Sequence, residues 1–138
     1  MRRIVLLVVF SIVILAACGG AKSNSSDQNE VGTLEPVPAG YAGKSNPLGA
    51  DAAGEGAGIF QTNCAMCHGP QGHGDGPASG SLDPKPKNLG LLKEGASDDF
   101  LYWRISEGKP GTSMVAWKNI LSEEQIWQLV SFIRTLEK

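Results

Sequence analysis

The chain has 138 residues, enough for one domain of ordinary size and too few for two. Twelve basic residues face fourteen acidic ones; loss of Arg2 and Arg3 with residues 1–17 would leave about four net negative charges, a balance that indicates no nucleic-acid partner. The cysteines are three, Cys18, Cys64 and Cys67, an odd number that does not suit a disulfide framework.

Residues 1–17 read as an export signal: a positive start at Met1-Arg2-Arg3, an apolar run from Ile4 to Leu15, then small residues. That run stops well short of the roughly 20 apolar residues that cross a bilayer. Two arginines at the extreme start are what any charged leader shows, so a twin-arginine address carries little weight. Leu15-Ala16-Ala17-Cys18 resembles the lipobox of bacterial lipoproteins, which implies a diacylglyceryl thioether on Cys18 and cleavage ahead of it. The alternative is a plain secretory signal cut after Ala17. The expectation is an exported protein held by lipid on the periplasmic or other extracytoplasmic side of a bacterial membrane.

Residues 18–50 are rich in Gly, Ser, Asn, Pro, Ala and acidic groups, with Val31, Leu34, Val37, Tyr41 and Leu48 scattered among them. Such a stretch buries too little apolar surface to fold alone and is expected to be a flexible linker. The folded domain is then 51–138. Ala53, Gly56, Ala57 and Phe60 lie at helical spacing and predict a first helix over about 51–62, running into Cys64. No regular pattern follows between Gly69 and Gly95. Ser97 with Asp98 and Asp99 opens a second helix bearing Phe100, Leu101 and Ile105, which Gly108 stops. Ser122 and Gln125 stand at capping-box positions ahead of Ile126, Leu129, Val130, Ile133 and Leu136, a stripe of period 3.6. The fold class is therefore all-α: three main helices with long Gly/Pro-rich loops, and a core so modest that something else should fill its centre.

Cys64-Ala65-Met66-Cys67-His68 supplies that something. Two thiols separated by two residues can both reach vinyl groups on one haem edge, and the adjacent histidine is then directed under the iron. A redox disulfide pair is the first alternative, but that motif belongs to a strand-helix unit, which is absent. A zinc site is the second. It needs four ligands, and only His73 remains as another Cys or His in the domain. Covalent haem c, one per chain, is the expected cofactor.

At this point residues 51–138 resemble the monohaem class I cytochromes c, similar in type to small cytochrome domains of respiratory complexes. Gly56 and Phe60 lie eight and four residues before Cys64, where the family's first helix crosses the last, and Leu129-Val130-Ser131-Phe132-Ile133 looks like that last helix. The resemblance implies that Leu129 and Phe132 meet Gly56 and Phe60. It also implies that Gly108-Lys109-Pro110-Gly111-Thr112-Ser113-Met114-Val115-Ala116-Trp117 is a methionine loop, with Met114 as the sixth iron ligand opposite His68; Val115 stands where many relatives carry proline. The bland reading of Met114 is a core methionine. His73, between two glycines, is expected to be exposed rather than a ligand. By the same resemblance, Pro77 is the residue whose carbonyl receives the ring N–H of His68. Tyr102, Trp103 and Trp117 are expected in the haem wall.

A His and Met pair leaves no open position on iron, and thioether ligation raises its potential, so the reading is an electron carrier and not an enzyme. It would shuttle single electrons between membrane complexes, respiratory or photosynthetic, with a quinol-oxidising complex or another cytochrome as donor and a terminal oxidase or cytochrome as acceptor. A fixed electron-transfer subunit of such a complex is the alternative. A haem sensor or peroxidase with an open sixth site is the weaker one.

Overall fold

The last helix is built where the apolar period is clearest. Ser122 Oγ accepts the N–H of Gln125 (3.2 Å), and Gln125 Oε1 accepts the N–H of Ser122 (2.9 Å), closing the capping box that starts α5 (Glu123–Thr135). Glu123 and Glu124 in its first turn and Arg134 in its last complement the helix dipole. Ile126, Leu129, Val130 and Ile133 are buried along one side. The computed structural model describes residues 33–138 and contains no strand among them; the signal over 1–17, Cys18 and the linker up to residue 32 lie outside the described residues.

Across α5 lies α1 (Ala53–Asn63), led in by a 3-10 turn over Ala50–Ala52. The crossing depends on Gly56: a Cβ there would overlap the backbone carbonyl of Gln128 and stand 2.9 Å from Phe132 Cβ. One turn on, the Phe60 and Phe132 rings meet at 5.0 Å. Gly56→Ala should therefore force the helices apart at a cost of about 1–3 kcal/mol, a Tm lower by roughly 5–20 °C. Gly58→Ala on the same helix meets nothing within 4 Å and should raise stability by up to about 1 kcal/mol. Thermal melts of the two variants check this; equal effects would show that the crossing is not tight at Gly56.

The remaining helices are α2 (Ala65–His68), α3 (Leu89–Gly95) and α4 (Asp98–Glu107). α4 begins and ends where Ser97 and Gly108 predict, Gly108 taking φ 66. α3 had no sequence counterpart. Asn88 Oδ1 caps it by accepting from Leu91 N–H (3.1 Å). Its seven residues cover barely two turns, and a Cβ on Gly90 would collide with the Glu137 carbonyl, so close packing on the chain's end favours glycine over a periodic apolar residue.

The linker over 18–50 requires a correction, because its described part lies against the domain. Leu34, Val37, Tyr41 and Leu48 pack on the core. Tyr41 donates its hydroxyl to the Glu107 carboxylate, Gly43 N–H donates to Asp99 Oδ2 (2.7 Å), and Asn46 Nδ2 donates to Ser131 Oγ (2.8 Å) and the Trp127 carbonyl (3.2 Å). A segment too poor in apolar residues to fold alone thus folds as a strap onto a surface that already exists.

Candidate functional site

The turn that bears the cysteines is a continuation of α1. Cys64 N–H still bonds Phe60 O (2.8 Å), after which Cys67 and His68 N–H both return to Cys64 O at 3.1 and 2.9 Å. Residues three apart on a helical turn share a face, so both thiols are presented together and His68 follows at the turn's end. Gly69, at φ 77, then reverses the chain. The loop beyond it folds back onto the motif's own carbonyls: Gly74 N–H to His68 O (2.8 Å), Gly76 N–H to Cys67 O (3.2 Å) and Ala78 N–H to Met66 O (2.9 Å). The region without sequence period is organised by these bonds.

His68 Nδ1 lies 3.2 Å from the Lys87 carbonyl. A carbonyl only accepts, so Nδ1 carries the proton and Nε2 keeps the lone pair. Burial pushes the His68 pKa below its ordinary value, offset in part by that carbonyl, which keeps the ring neutral and able to ligate. The expectation for Pro77 is corrected here. Pro77 is exposed and outside the cavity wall, whereas Leu89 N–H bonds Gly72 O (2.7 Å) and draws the segment ending in Lys87 across the motif. Pro84 and Pro86 interrupt that segment's hydrogen bonding and leave its carbonyls without helical partners, the one signal that could have pointed to it.

Cys64, Cys67, His68 and Met114 all line one cavity of about 500 Å³. Its wall is mostly apolar, with Phe60, Leu101, Leu129 and Ile133 contributed by α1, α4 and α5. Met114 is held from both sides: its carbonyl accepts Lys109 N–H (2.9 Å) and its N–H donates to Thr112 Oγ1 (3.2 Å), which itself donates to Lys109 O (2.8 Å). These bonds stiffen the loop where proline is absent at Val115. The loop's end docks on α4 through Trp117 N–H to Ile105 O (3.2 Å).

Trp117 lines the cavity as expected, but Trp103 and Tyr102 do not. On α4 the cavity face carries Phe100, Leu101, Arg104 and Ile105, and the helical period turns the other two aromatics aside. Trp103 lies under the Arg104 guanidinium at 4.2 Å, and Tyr102 stacks on Trp127 with centroids 4.1 Å apart. His73 is exposed and outside the wall.

The donor set decides what fits. Among the described residues no group of three or more His, Cys, Asp or Glu could hold a bare metal ion. One imidazole and one thioether can supply two axial positions to an iron whose four equatorial ligands come with a macrocycle, and two thiols on one turn can each add S–H across a vinyl group at its edge. Cys64 and Cys67 form no disulfide, and before attachment the Cys64 thiol is pushed up to about 12 by burial and then by its neighbour Cys67. A redox Cys-x-x-Cys pair needs a lowered thiol pKa, so the structure speaks against that alternative.

The family model described as Cytochrome c matches residues 53–137. No curated protein matches the chain. Among solved structures, a chain of the reducing HAO-like protein complex of Kuenenia stuttgartiensis is similar, with a TM-score of 0.62 at 28% sequence identity, over 77% of this chain and 53% of that one. This chain thus spans about half the length of that relative.

Proposed function

Since the chain belongs to the cytochrome c family and binds a c-type haem covalently, we propose that it is a single-electron carrier with His68 and Met114 as axial ligands. The observation that supports this is the shared cavity: His68, on the turn that bears both cysteines, and Met114, on a loop tied by its own backbone, stand in one apolar wall. When bound, the haem supplies an iron that takes up and gives back one electron. Cys64 and Cys67 hold it through thioethers. The Lys87 carbonyl fixes the tautomer of His68, and the Thr112 hydroxyl and Lys109 N–H fix the Met114 backbone. The apolar wall excludes water, which with thioether ligation favours the ferrous state. With both axial positions filled, the protein has no site for a substrate on iron and acts as a carrier, not an enzyme. The ferric protein should be low-spin with the weak near-infrared band of sulfur-to-iron ligation; a high-spin ferric spectrum without it overturns the assignment.

The carrier is exported and anchored by lipid on Cys18, its haem domain on the extracytoplasmic side. Two acyl chains hold a protein stably where one does not. The strap on the domain shortens the reach: from Cys18 to Thr33 the chain spans at most about 50 Å. That favours partners at the same membrane, a quinol-oxidising complex or other cytochrome as donor and a terminal oxidase or cytochrome as acceptor. The similarity to a chain from a protein complex favours a second reading, a fixed subunit. Co-purification of a stoichiometric partner from detergent-solubilised membranes separates the two. Cys18→Ser should block lipid attachment and leave an unprocessed leader, measured by mass spectrometry of the N-terminus; an unmodified Cys18 in the wild type rules the anchor out and leaves the haem reading untouched.

A further inference from the structure

The cavity has a wall that the haem motif does not explain. Thr33, Leu34 and Glu35, from the strap, stand in it beside Lys109 and Met114. Building on the Met114 ligation proposed above, we propose that Glu35 is a positioning residue for the methionine loop, holding its base through Arg104 and Lys109 and so setting how readily Met114 gives way to an outside ligand.

Glu35 Oε2 meets Arg104 NH2 at 2.8 Å and Oε1 meets Lys109 Nζ at 3.5 Å, so one carboxylate spans α4 and the loop. The other guanidinium arm continues the path: Arg104 NH1 donates to the Gly108 carbonyl (3.1 Å). From the next residue, Lys109 N–H reaches the Met114 carbonyl (2.9 Å). The two runs touch, since a Cβ on Gly108 would overlap the Met114 carbonyl and the Val115 backbone. A displacement at 108–109 therefore moves residue 114.

Arg104 is 8% exposed and lies over the Trp103 ring, so its charge needs a partner, and Glu35 is the carboxylate paired with it among the described residues. Hydrogen bonding and attraction from Arg104 hold the Glu35 carboxyl below the usual carboxylate range, ionised at neutral pH. The strap is held beside the loop's base by Tyr41 on Glu107, and away from the loop by Gly43 on Asp99 and Asn46 on Ser131. Glu35 is itself about half exposed, which limits the size of the effect.

Imidazole titration of the ferric holoprotein, followed by loss of the near-infrared band, reads the proposal directly. Glu35→Gln should bind imidazole about threefold to fivefold more tightly than wild type, the range that a half-exposed ion pair can supply. Its band before titration should be intact. Asn46→Ala, which loosens the strap at Trp127 and Ser131, two residues outside the cavity wall, should leave the affinity unchanged even where it lowers Tm. An unchanged affinity in Glu35→Gln overturns the proposal. So does an equal gain in Asn46→Ala, which would make the effect general loosening. Lys109→Gln carries the test if Glu35→Gln does not accumulate: about twofold tighter binding supports the hold and none overturns it. A wild type without the band overturns the ligation beneath the proposal, a failure read before any imidazole is added.

Discussion

Ferric Met114→Ala should lose the near-infrared band, become high-spin and bind imidazole or cyanide without competition, while haem stays covalently attached. The reason is positional. Met114 is the one thioether in the cavity wall, and the other methionine of the domain, Met66, is 61% exposed on the attachment turn. The second imidazole, His73, is exposed outside the cavity. The reduction potential should fall by a sizeable part of the ~0.8 V range that axial ligands command. Redox titration and the ferric spectrum measure both. A band that survives the substitution sinks the ligand assignment, whereas a change confined to stability would make Met114 a core residue.

The second large effect is loss of the fold with loss of the haem. In Cys64→Ala with Cys67→Ala the covalent attachment is gone, and any chain without haem must tolerate a cavity of about 500 Å³. Without haem that apolar wall loses its packing partner, and at about 1.5–3 kcal/mol per large apolar side chain left facing water the loss is comparable with a total stability of roughly 5–15 kcal/mol for a whole domain. Collapse of the wall would recover part of this, but Phe60, Leu101, Leu129 and Ile133 come from three different helices whose spacing α1 and α5 set at Gly56. Circular dichroism of the haem-free double variant should therefore show reduced helicity and no cooperative melt. Native-like helicity with a sharp transition would mean that the helices hold without the cofactor.

Some of this protein is local and some is not, and the division follows from the range of the interactions. The haem-binding pentapeptide is a contiguous chemical unit, and the three main helices carry apolar periods of their own, with Ser97, Gly108 and Ser122 marking ends of the last two, so Cys64, Cys67 and His68, the all-α class and those boundaries were legible in the residues themselves. The Gly56 crossing and Met114's place in the cavity wall were legible only through family resemblance, and each then appears in the geometry. What the tertiary structure alone decided are the contacts made by segments without a period. The acceptor of the His68 ring N–H is Lys87 and not Pro77, because a backbone carbonyl has no residue-type signature and only chain folding brings residue 87 over residue 68. Trp103 leaves the wall because helix rotation, not aromatic character, chooses which side faces the cavity. The strap over 33–49 reads as linker because its few apolar residues form no core of their own; it becomes structure only when Tyr41 finds Glu107, Asn46 finds Ser131 and Glu35 finds Arg104, partners 66 to 85 residues away that no local pattern could name.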